Sequence, residues 1–138
     1  MSACEIVISN SLSELARVRA LADRFLSTHP LSSGVTADLQ VALDELLINI
    51  IKYAYTDNRA HQIHVQLGIE RDVLVVEIDD DGVPFNPLDA PAPDLNASIA
   101  KRRVGGVGIH FVKNLMSEVR YDRVGDRNRL VLKKRLTA

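Results

Sequence analysis

The sequence predicts an α+β domain, a two-layer α/β sandwich with a mixed, mostly antiparallel sheet and the helices on one face. Apolar residues recur at helical spacing in two adjacent stretches of the first half, and they alternate at strand spacing in two hairpins. Because the helices cluster in the chain and do not alternate with strands, a wholly parallel sheet is disfavoured. With 138 residues, of which 46% are hydrophobic, residues 1–138 are interpreted as one domain.

The first half of the chain should form one strand and two helices. Cys4 to Ser9 is a strand candidate, and Ser11 with Glu14 could form a capping box at the start of the first helix. That helix should end before Pro30, with an apolar face of Leu12, Leu15, Val18, Leu21 and Phe25. The second helix should begin near Gly34 or Thr36 and end at Tyr55.

Two hairpins should build the rest of the sheet. Strands are predicted over His61–Glu70 and Val73–Ile78, and again over Val119–Val124 and Leu130–Leu136. A Pro- and Ala-rich excursion with one helical turn and a helix over Ile109–Ser117 lie between the hairpins. His61 and His64 are interpreted as surface strand residues on opposite faces. Six basic residues of the last hairpin are interpreted as edge-strand charges: Arg123, Arg127, Arg129, Lys133, Lys134 and Arg135.

Composition excludes several classes of function. The formal net charge is −1 and there is no Trp, which argues against a nucleic-acid partner. No apolar run approaches the roughly 20 residues of a membrane helix, so we expect no membrane. Cys4 is the single cysteine, which leaves no intramolecular disulfide and favours a reducing, cytoplasmic location.

Polar residues interrupt the apolar surface of the second helix. Glu45 and Asn49 are four residues apart and share one face, and Lys52 follows close to the same line. A buried, unpaired carboxylate is costly, so this stripe should face a wet cleft or a bound ion. The alternative is an ordinary solvated helix face.

A glycine-rich segment precedes the helix predicted after the excursion. Gly105, Gly106 and Gly108 would allow close approach of a ligand to the backbone, and a helix start attracts anions. A flexible hinge is the alternative. The chain has no Gly-Lys pair for a Walker loop, and Phe111 stands where a dinucleotide fingerprint would need its third glycine.

The third polar signal is the acidic end of the strand that closes the first hairpin. Asp79, Asp80 and Asp81 repel one another and need compensation, and Gly82 follows them. A carboxylate at a strand end can accept a hydrogen bond from an exocyclic amine such as that of adenine, with Gly82 leaving room for a flat ring. An acidic turn without a ligand is the alternative.

Together these segments resemble the nucleotide-binding boxes of the GHKL ATPase superfamily, which includes DNA gyrase and the histidine kinases. The order and spacing match, from about Leu39 to the C-terminus. Within the superfamily, the short length and the Pro-Phe-Asn-Pro sequence after Gly82 look most like the anti-sigma-factor serine/threonine kinase family of bacterial partner-switching systems. The matching motifs are Glu45-x-x-x-Asn49-x-x-Lys52-Tyr53, Asp80-x-Gly82-x-Pro84-Phe85 and Gly105-Gly106-x-Gly108-Ile109.

The resemblance implies a Bergerat (histidine-kinase-like) ATPase fold, ATP or ADP with Mg²⁺ as cofactors, and a role for each matched residue. Asn49 would hold Mg²⁺, Glu45 would orient or deprotonate the attacking hydroxyl, and Asp80 would bind the adenine amine. Residues from about Leu88 to Val104 would form a lid over the nucleotide. The remaining binding residues implied are Lys52, Gly82, Phe85, Arg103, Gly105, Gly106, Val107, Gly108 and Ile109. A Thr common in the late strand is replaced near Asn128 and Arg129.

The function implied is an anti-sigma factor that also phosphorylates a STAS-domain anti-anti-sigma protein on serine. Its partners would be that STAS protein, a sigma factor and, as a homodimer, a second copy of the chain. A nucleotide-gated binding module without kinase activity is the main alternative, and an α/β domain without any ligand is the third.

Overall fold

The computed structural model describes residues 2–29, 33–89 and 112–136. Along the chain these residues form strand β1 (Ser2–Ser9), helix α1 (Leu15–Ser27), helix α2 (Ser33–Tyr53), strands β2 (Gln62–Glu70) and β3 (Val73–Asp80), and strands β4 (Glu118–Val124) and β5 (Arg127–Arg135). Short 3-10 turns cover Leu12–Glu14 and Pro87–Asp89, and residues 112–115 are helical. The predicted α+β class is confirmed.

The start of the first helix differs from the predicted capping box. The hydroxyl of Ser11 bonds to that of Ser13 and caps no backbone N–H, and the Glu14 carboxylate accepts from the Ser9 N–H at 3.2 Å. A 3-10 turn over Leu12–Glu14 therefore precedes the α-helix. It also turns Leu12 outward, so that 49% of this residue is exposed, and the buried positions of α1 are Leu15, Val18, Ala22, Phe25 and Leu26.

Helix α2 is the central element of the core. It ends at Tyr53, two residues before the predicted end, and Ala54 continues the chain with its N–H bonded to the Ile50 carbonyl at 2.9 Å. Six apolar residues of the helix are almost completely covered: Leu39, Ala42, Leu43, Leu46, Leu47 and Ile50. Its wide apolar surface, predicted from the sequence, is thus buried.

The five strands form one sheet in the order β1-β2-β3-β5-β4. Each neighbouring pair is antiparallel, so the described sheet is antiparallel throughout and not mixed. The last hairpin turns at Gly125, which has a φ of 62°. The turn is tighter than the predicted strand bounds implied, because β5 begins at Arg127, three residues before the predicted start at Leu130.

One face of the sheet packs on the helices and the other is polar. The alternation in β2 and β3 places one side chain of each successive pair in the core, as the hairpin pattern predicted. The residues that the sheet contributes to the core are Ile8, Ile63, Val65, Leu67, Leu74, Val76, Ile78, Leu130 and Leu132.

The position of β5 corrects the interpretation of the basic residues. Of the six, only Arg123 lies on an edge strand, because β5 pairs with both β3 and β4. Arg129 is opposite Asp79 in the register and pairs with Glu77 at 3.1 Å and with Asp79 at 3.5 Å. The basic residues of β5 are therefore interior sheet positions, some of which neutralise acids on β3. Within the described residues, no helix is both long enough and apolar enough to cross a membrane.

Candidate functional site

The polar stripe of α2 lies in the C-terminal half of the helix, which precedes strand β2. Asn49 is buried, with 4% of its surface exposed, and Glu45 is half-buried. The Asn49 side-chain Nδ2 donates to Glu45 Oε1 at 3.3 Å, as their spacing of four residues allows. Lys52 is exposed one turn further on. The helix thus holds a buried amide and a half-buried carboxylate in contact.

Asp80, the last residue of β3, is the most buried acid among the described residues, with 2% exposed. Its Oδ1 accepts from the Gly82 N–H at 2.8 Å and from Asn128 Nδ2 at 2.9 Å. Burial raises the pKa of the Asp80 carboxyl, and these two donors oppose that rise. Among the described residues, no donor reaches its other oxygen, Oδ2.

The neighbouring acids are compensated, as their mutual repulsion required. Asp79 accepts from the Arg127 guanidinium and lies 3.5 Å from that of Arg129. Asp81 contacts the imidazole of His61 at 3.2 Å. The sequence indicated the need for these partners but did not identify them.

The end of α2 and the acidic turn are directly joined. The Val83 N–H donates to the Ala54 carbonyl at 2.8 Å, and the rings of Tyr53 and Phe85 lie 5.9 Å apart. A Cβ added at Gly82 would lie 2.4 Å from the Ala54 oxygen, so the helix end can approach this closely because residue 82 is glycine. Two of the three predicted motif segments are therefore neighbours.

The third segment lies outside the described residues. It contains Arg103, Gly105, Gly106, Val107, Gly108 and Ile109, together with most of the predicted lid. Where the chain is described again, residues 112–115 are helical and the Lys134 ammonium donates to the Leu115 carbonyl at 3.1 Å. The helix that would follow the glycines is thus fastened to β5 at its C-terminal end.

The described groups fit a nucleotide better than a metal bound by protein alone. Within residues 2–29, 33–89 and 112–136, no group of three His, Cys, Asp or Glu side chains could hold a metal ion. Asp80 offers a buried acceptor, and Asn49 offers a buried amide beside a carboxylate. A Mg²⁺ ion that retains waters and phosphate oxygens needs only one or two such protein ligands.

Sequence reasoning assigned no role to three residues of this region, although it named Asn128 as a position near which a Thr common in the late strand is replaced. Asn128 is buried opposite Asp80 on β5, and Tyr121 and Arg123 of β4 both donate to it. The register of the last hairpin was the available signal, because a strand pairing with β3 must place some residue opposite Asp80. His61 was also misinterpreted, since it precedes β2 and lies between Asp57 and Asp81.

Comparison with known proteins identifies the family. Residues 8–134 match the family model described as the histidine kinase-like ATPase domain. The chain belongs to the histidine kinase-like ATPase family. It is thus a GHKL-type ATPase domain, and the predicted resemblance is confirmed.

Curated relatives in this family include bacterial protein kinases. The chain is 30% identical over 113 residues to the serine/threonine-protein kinase BtrW of Bordetella bronchiseptica, covering 82% of this chain and 75% of BtrW. It is 30% identical over 88 residues to the serine-protein kinase RsbW of Bacillus subtilis, covering 60% of this chain and 54% of RsbW. The chain is a homologue of protein serine/threonine kinases, although it spans only about half the length of RsbW.

Solved structures agree on the fold. The RsbU and RsbW domains of a Mycobacterium tuberculosis protein match with a TM-score of 0.70 at 16% identity, covering 99% of this chain and 32% of that one. The histidine kinase domain from Erythrobacter litoralis EL346 matches with a TM-score of 0.55 at 13% identity, covering 91% of this chain and 60% of that one. The Bergerat-type ATPase fold is therefore confirmed for this chain.

Proposed function

We propose that this protein is an ATP-dependent protein serine kinase that phosphorylates a STAS-domain anti-anti-sigma protein and also binds a sigma factor. The observation that supports it most is the junction of Glu45 and Asn49 on α2 with the Asp80–Gly82 turn through Ala54 and Val83. That junction occurs in a chain of the ATPase family whose relatives include serine kinases.

The chain's own residues would bind and orient the reactants. Asp80 Oδ2 would accept a hydrogen bond from the adenine amine, and Asn49 would hold the Mg²⁺ that accompanies the phosphates. When bound, Mg²⁺ neutralises phosphate charge that develops during transfer. Phe85, beside Tyr53, would pack near the nucleotide. Lys52, Gly82, Arg103 and residues 105–109 keep the binding roles that the resemblance implies.

Glu45 would act on the acceptor serine. Its carboxylate is half-buried and already lies 3.3 Å from the Asn49 amide, so an acceptor hydroxyl bound near Asn49 would be within its reach. A carboxylate placed there can orient the hydroxyl and take its proton. Positioning and charge neutralisation supply most of the catalysis in phosphoryl transfer.

Glu45→Gln tests the kinase proposal. The purified protein is incubated with Mg-ATP and a STAS-domain protein encoded in the same genome neighbourhood, and phosphoserine is measured. We expect the variant to retain nucleotide binding and to lose about 10²-fold or more of the transfer rate. Asp44→Asn is the matched control, because Asp44 is the adjacent helix carboxylate and pairs with Arg19 instead. Absence of transfer by the wild type to every such STAS protein would contradict the kinase proposal.

The hydrogen bond from Asn49 to Glu45 favours a second candidate, a nucleotide-gated binding module. In that case Glu45 holds the Asn49 amide in place and no proton transfer is required. Partner capture would then depend on whether ATP or ADP is bound, without phosphate transfer. Phosphoserine measured beside partner capture separates the candidates. A kinase transfers phosphate to the STAS protein and loses that transfer in Glu45→Gln, whereas a binding module captures its partner in a nucleotide-dependent way, forms no phosphoserine and keeps its capture in Glu45→Gln, because the Gln side-chain oxygen still accepts from Asn49.

We further propose a homodimer in the cytoplasm, formed through the first strand and helix. Strand β1 is at an edge of the sheet. Val7 within this strand is 39% exposed, and Leu12 in the turn that follows it is 49% exposed. An edge strand offers unpaired backbone groups to a second copy. Light scattering on the purified protein tests this proposal, with Val7→Lys expected to favour the monomer. A monomer at all concentrations would contradict it.

A further inference from the structure

Asn128 is a buried amide at the point where three strands meet beside the acidic turn. It lies opposite Asp80 in the pairing of β3 and β5, and 3% of its surface is exposed. Its Nδ2 donates to Asp80 Oδ1 at 2.9 Å and to the Val83 carbonyl at 2.9 Å. One side of the amide therefore holds both the carboxylate and the turn that follows it.

The other side of the amide is held by three donors. Asn128 Oδ1 accepts from the Phe85 N–H at 3.3 Å, from an Arg123 guanidinium N–H at 3.1 Å and from the Tyr121 hydroxyl. Two of these groups can only donate, and the carboxylate and carbonyl on the Nδ2 side only accept. The orientation of the amide is thus fixed by its partners.

These contacts leave Asn128 with no free donor for a ligand. A side-chain amide has two N–H groups and two lone pairs, and both N–H groups are already used. Asp80 differs, because Oδ1 has two donors and Oδ2 has none among the described residues. The arrangement therefore fixes one carboxylate oxygen and leaves the other without a donor among the described residues.

We propose that Asn128 is a positioning residue that sets purine selectivity by holding Asp80 so that Oδ2 faces the base. This inference rests on the proposed nucleotide-binding function. A fixed carboxylate oxygen accepts from the exocyclic amine of adenine and repels the carbonyl oxygen that inosine and guanine carry at the same ring position. Tyr121 and Arg123 contribute by fixing the amide, and Arg123 also donates to the Gly82 carbonyl at 2.8 Å.

Burial explains why such support is needed. A carboxylate removed from water tends to take up a proton. A protonated Asp80 could donate its O–H to the ring carbonyl of a guanine or inosine nucleotide, and the site would then bind these nucleotides as well as ATP. Donation from Asn128 stabilises the ionised form of the acid. A strand position opposite the acid is well placed for this, because the sheet register fixes its distance.

The test compares the dissociation constants of Mg-ATP and Mg-ITP for the whole chain, measured by calorimetry. We expect the wild type to prefer ATP, and Asn128→Asp to reduce that preference by about 10- to 100-fold, the effect of losing a hydrogen bond to a charged group. Asn128→Asp keeps the side-chain shape and the acceptor but replaces the donor with a second carboxylate oxygen. Asn114→Asp, at an exposed position, is the matched control and should leave the preference unchanged.

Tyr121→Phe keeps the test valid if Asn128→Asp does not fold. It removes only the hydroxyl that donates to Asn128 Oδ1, and we expect it to reduce the ATP preference by about two- to tenfold. A folded variant that loses affinity for both nucleotides equally, with the preference unchanged, would overturn the inference while the proposed function stands. Equal binding of ATP and ITP by the wild type would also overturn the inference alone. A wild type that binds neither nucleotide would overturn both.

Discussion

At the scale of single residues, His61 joins two parts of the chain that the sequence keeps apart. Its Nε2 lies 2.8 Å from Asp57 in the connection after α2, and its Nδ1 lies 3.2 Å from Asp81 after β3. The ring also stacks on Tyr55 with centroids 4.6 Å apart. Both carboxylates favour the imidazolium, Asp57 more strongly, so the pKa of His61 is raised.

We expect folding stability to depend on pH through this residue. Because the folded state raises the pKa of His61, its contribution is complete below the unfolded-state pKa and is lost as pH rises through the folded-state pKa. The pKa of Asp57 is lowered, first by the Arg59 N–H and then by His61, so its contribution is lost as pH falls through the folded-state pKa. The stability that this pair contributes should therefore be greatest at pH values above the unfolded-state pKa of Asp57 and below the unfolded-state pKa of His61.

Urea denaturation between about pH 5 and pH 9 checks this expectation, since histidine titrates within that range. In the wild type, the free energy of unfolding should fall as His61 loses its proton at higher pH. His61→Gln should remove this part of the decrease. His64→Gln is the matched control, because His64 is an exposed residue of β2. If both variants follow the wild-type pH curve, the assigned role of His61 is wrong.

The sequence indicated which residues belong to the site only where those residues form part of a recognisable motif. Asn49 and Asp80 stood out because an amide in an apolar helix and an acid at a strand end are unusual in those places. Asn128 was named only as a position near which a Thr of the family is replaced, and its contact with Asp80 follows from the register that places the two residues opposite each other. His61 was missed because its two carboxylate partners are far from one another in the chain.

At the scale of elements, the contact between Gly82 and the end of α2 holds the site together. Gly82→Ala would place a Cβ 2.4 Å from the Ala54 oxygen and 2.7 Å from its Cβ, so the backbone must shift. We expect a loss of about 1–3 kcal/mol in the free energy of unfolding, typical of overpacking, together with weaker nucleotide binding.

Gly125→Ala provides the matched control for that substitution. Gly125 has a φ of 62° and no atom within 4 Å of an added Cβ, so only backbone strain of about 1–2 kcal/mol is expected. Nucleotide affinity should not change, because Gly125 lies in the turn between β4 and β5. Urea denaturation and calorimetry give the two quantities, and an unchanged nucleotide affinity in Gly82→Ala would contradict the role of this contact in the site.

Helix α2 also offers a direct test of its place in the core. Leu46 is 0% exposed, and Leu46→Ala should lower the free energy of unfolding by about 2–5 kcal/mol through the cavity it leaves. Val41 on the same helix is 49% exposed, and Val41→Ala should change the free energy of unfolding by no more than about 0.5 kcal/mol. Similar losses in both variants, measured by urea denaturation, would show that the buried face has been wrongly assigned.

Element types were predictable from periodicity, whereas their ends were decided by local contacts. The apolar repeat of α2 predicted a long buried helix, but Tyr55 was placed inside it although the structure ends the helix at Tyr53. The Ala54 carbonyl accepts from Val83 instead of continuing the helix, and a partner 29 residues away cannot be read from helical spacing. The capping box failed for a similar reason, since Glu14 bonds to Ser9 of β1.

At the scale of the whole molecule, one face of the sheet serves the core and the other carries paired charges. Arg129 contacts Glu77 and Asp79 across neighbouring strands, and Lys133 lies 3.6 Å from Glu118. The two-layer arrangement was predictable because helices cluster in the chain. The order β1-β2-β3-β5-β4 was not, because the hairpins alone do not decide which of their strands pair with each other.

The acidic residues of the proposed nucleotide site should make ATP binding depend on Mg²⁺. Glu45, Asp80 and Asp81 belong to the two segments proposed to bind the nucleotide, and their negative charges would repel its phosphates unless a cation is present. Mg-ATP at about a hundred times its dissociation constant should therefore stabilise the fold by about 2.7 kcal/mol. ATP with a chelator should stabilise it much less at the same concentration.

Thermal denaturation measures both effects on the same sample. GTP with Mg²⁺ is the control for the base, because it carries the same phosphates and ion but lacks the adenine amine that Asp80 would accept from. Equal stabilisation by ATP with and without the chelator would show that no cation is needed between these acids and the phosphates. No stabilisation by Mg-ATP at any concentration would contradict the nucleotide site itself, because a ligand that binds only the folded state must raise its melting temperature.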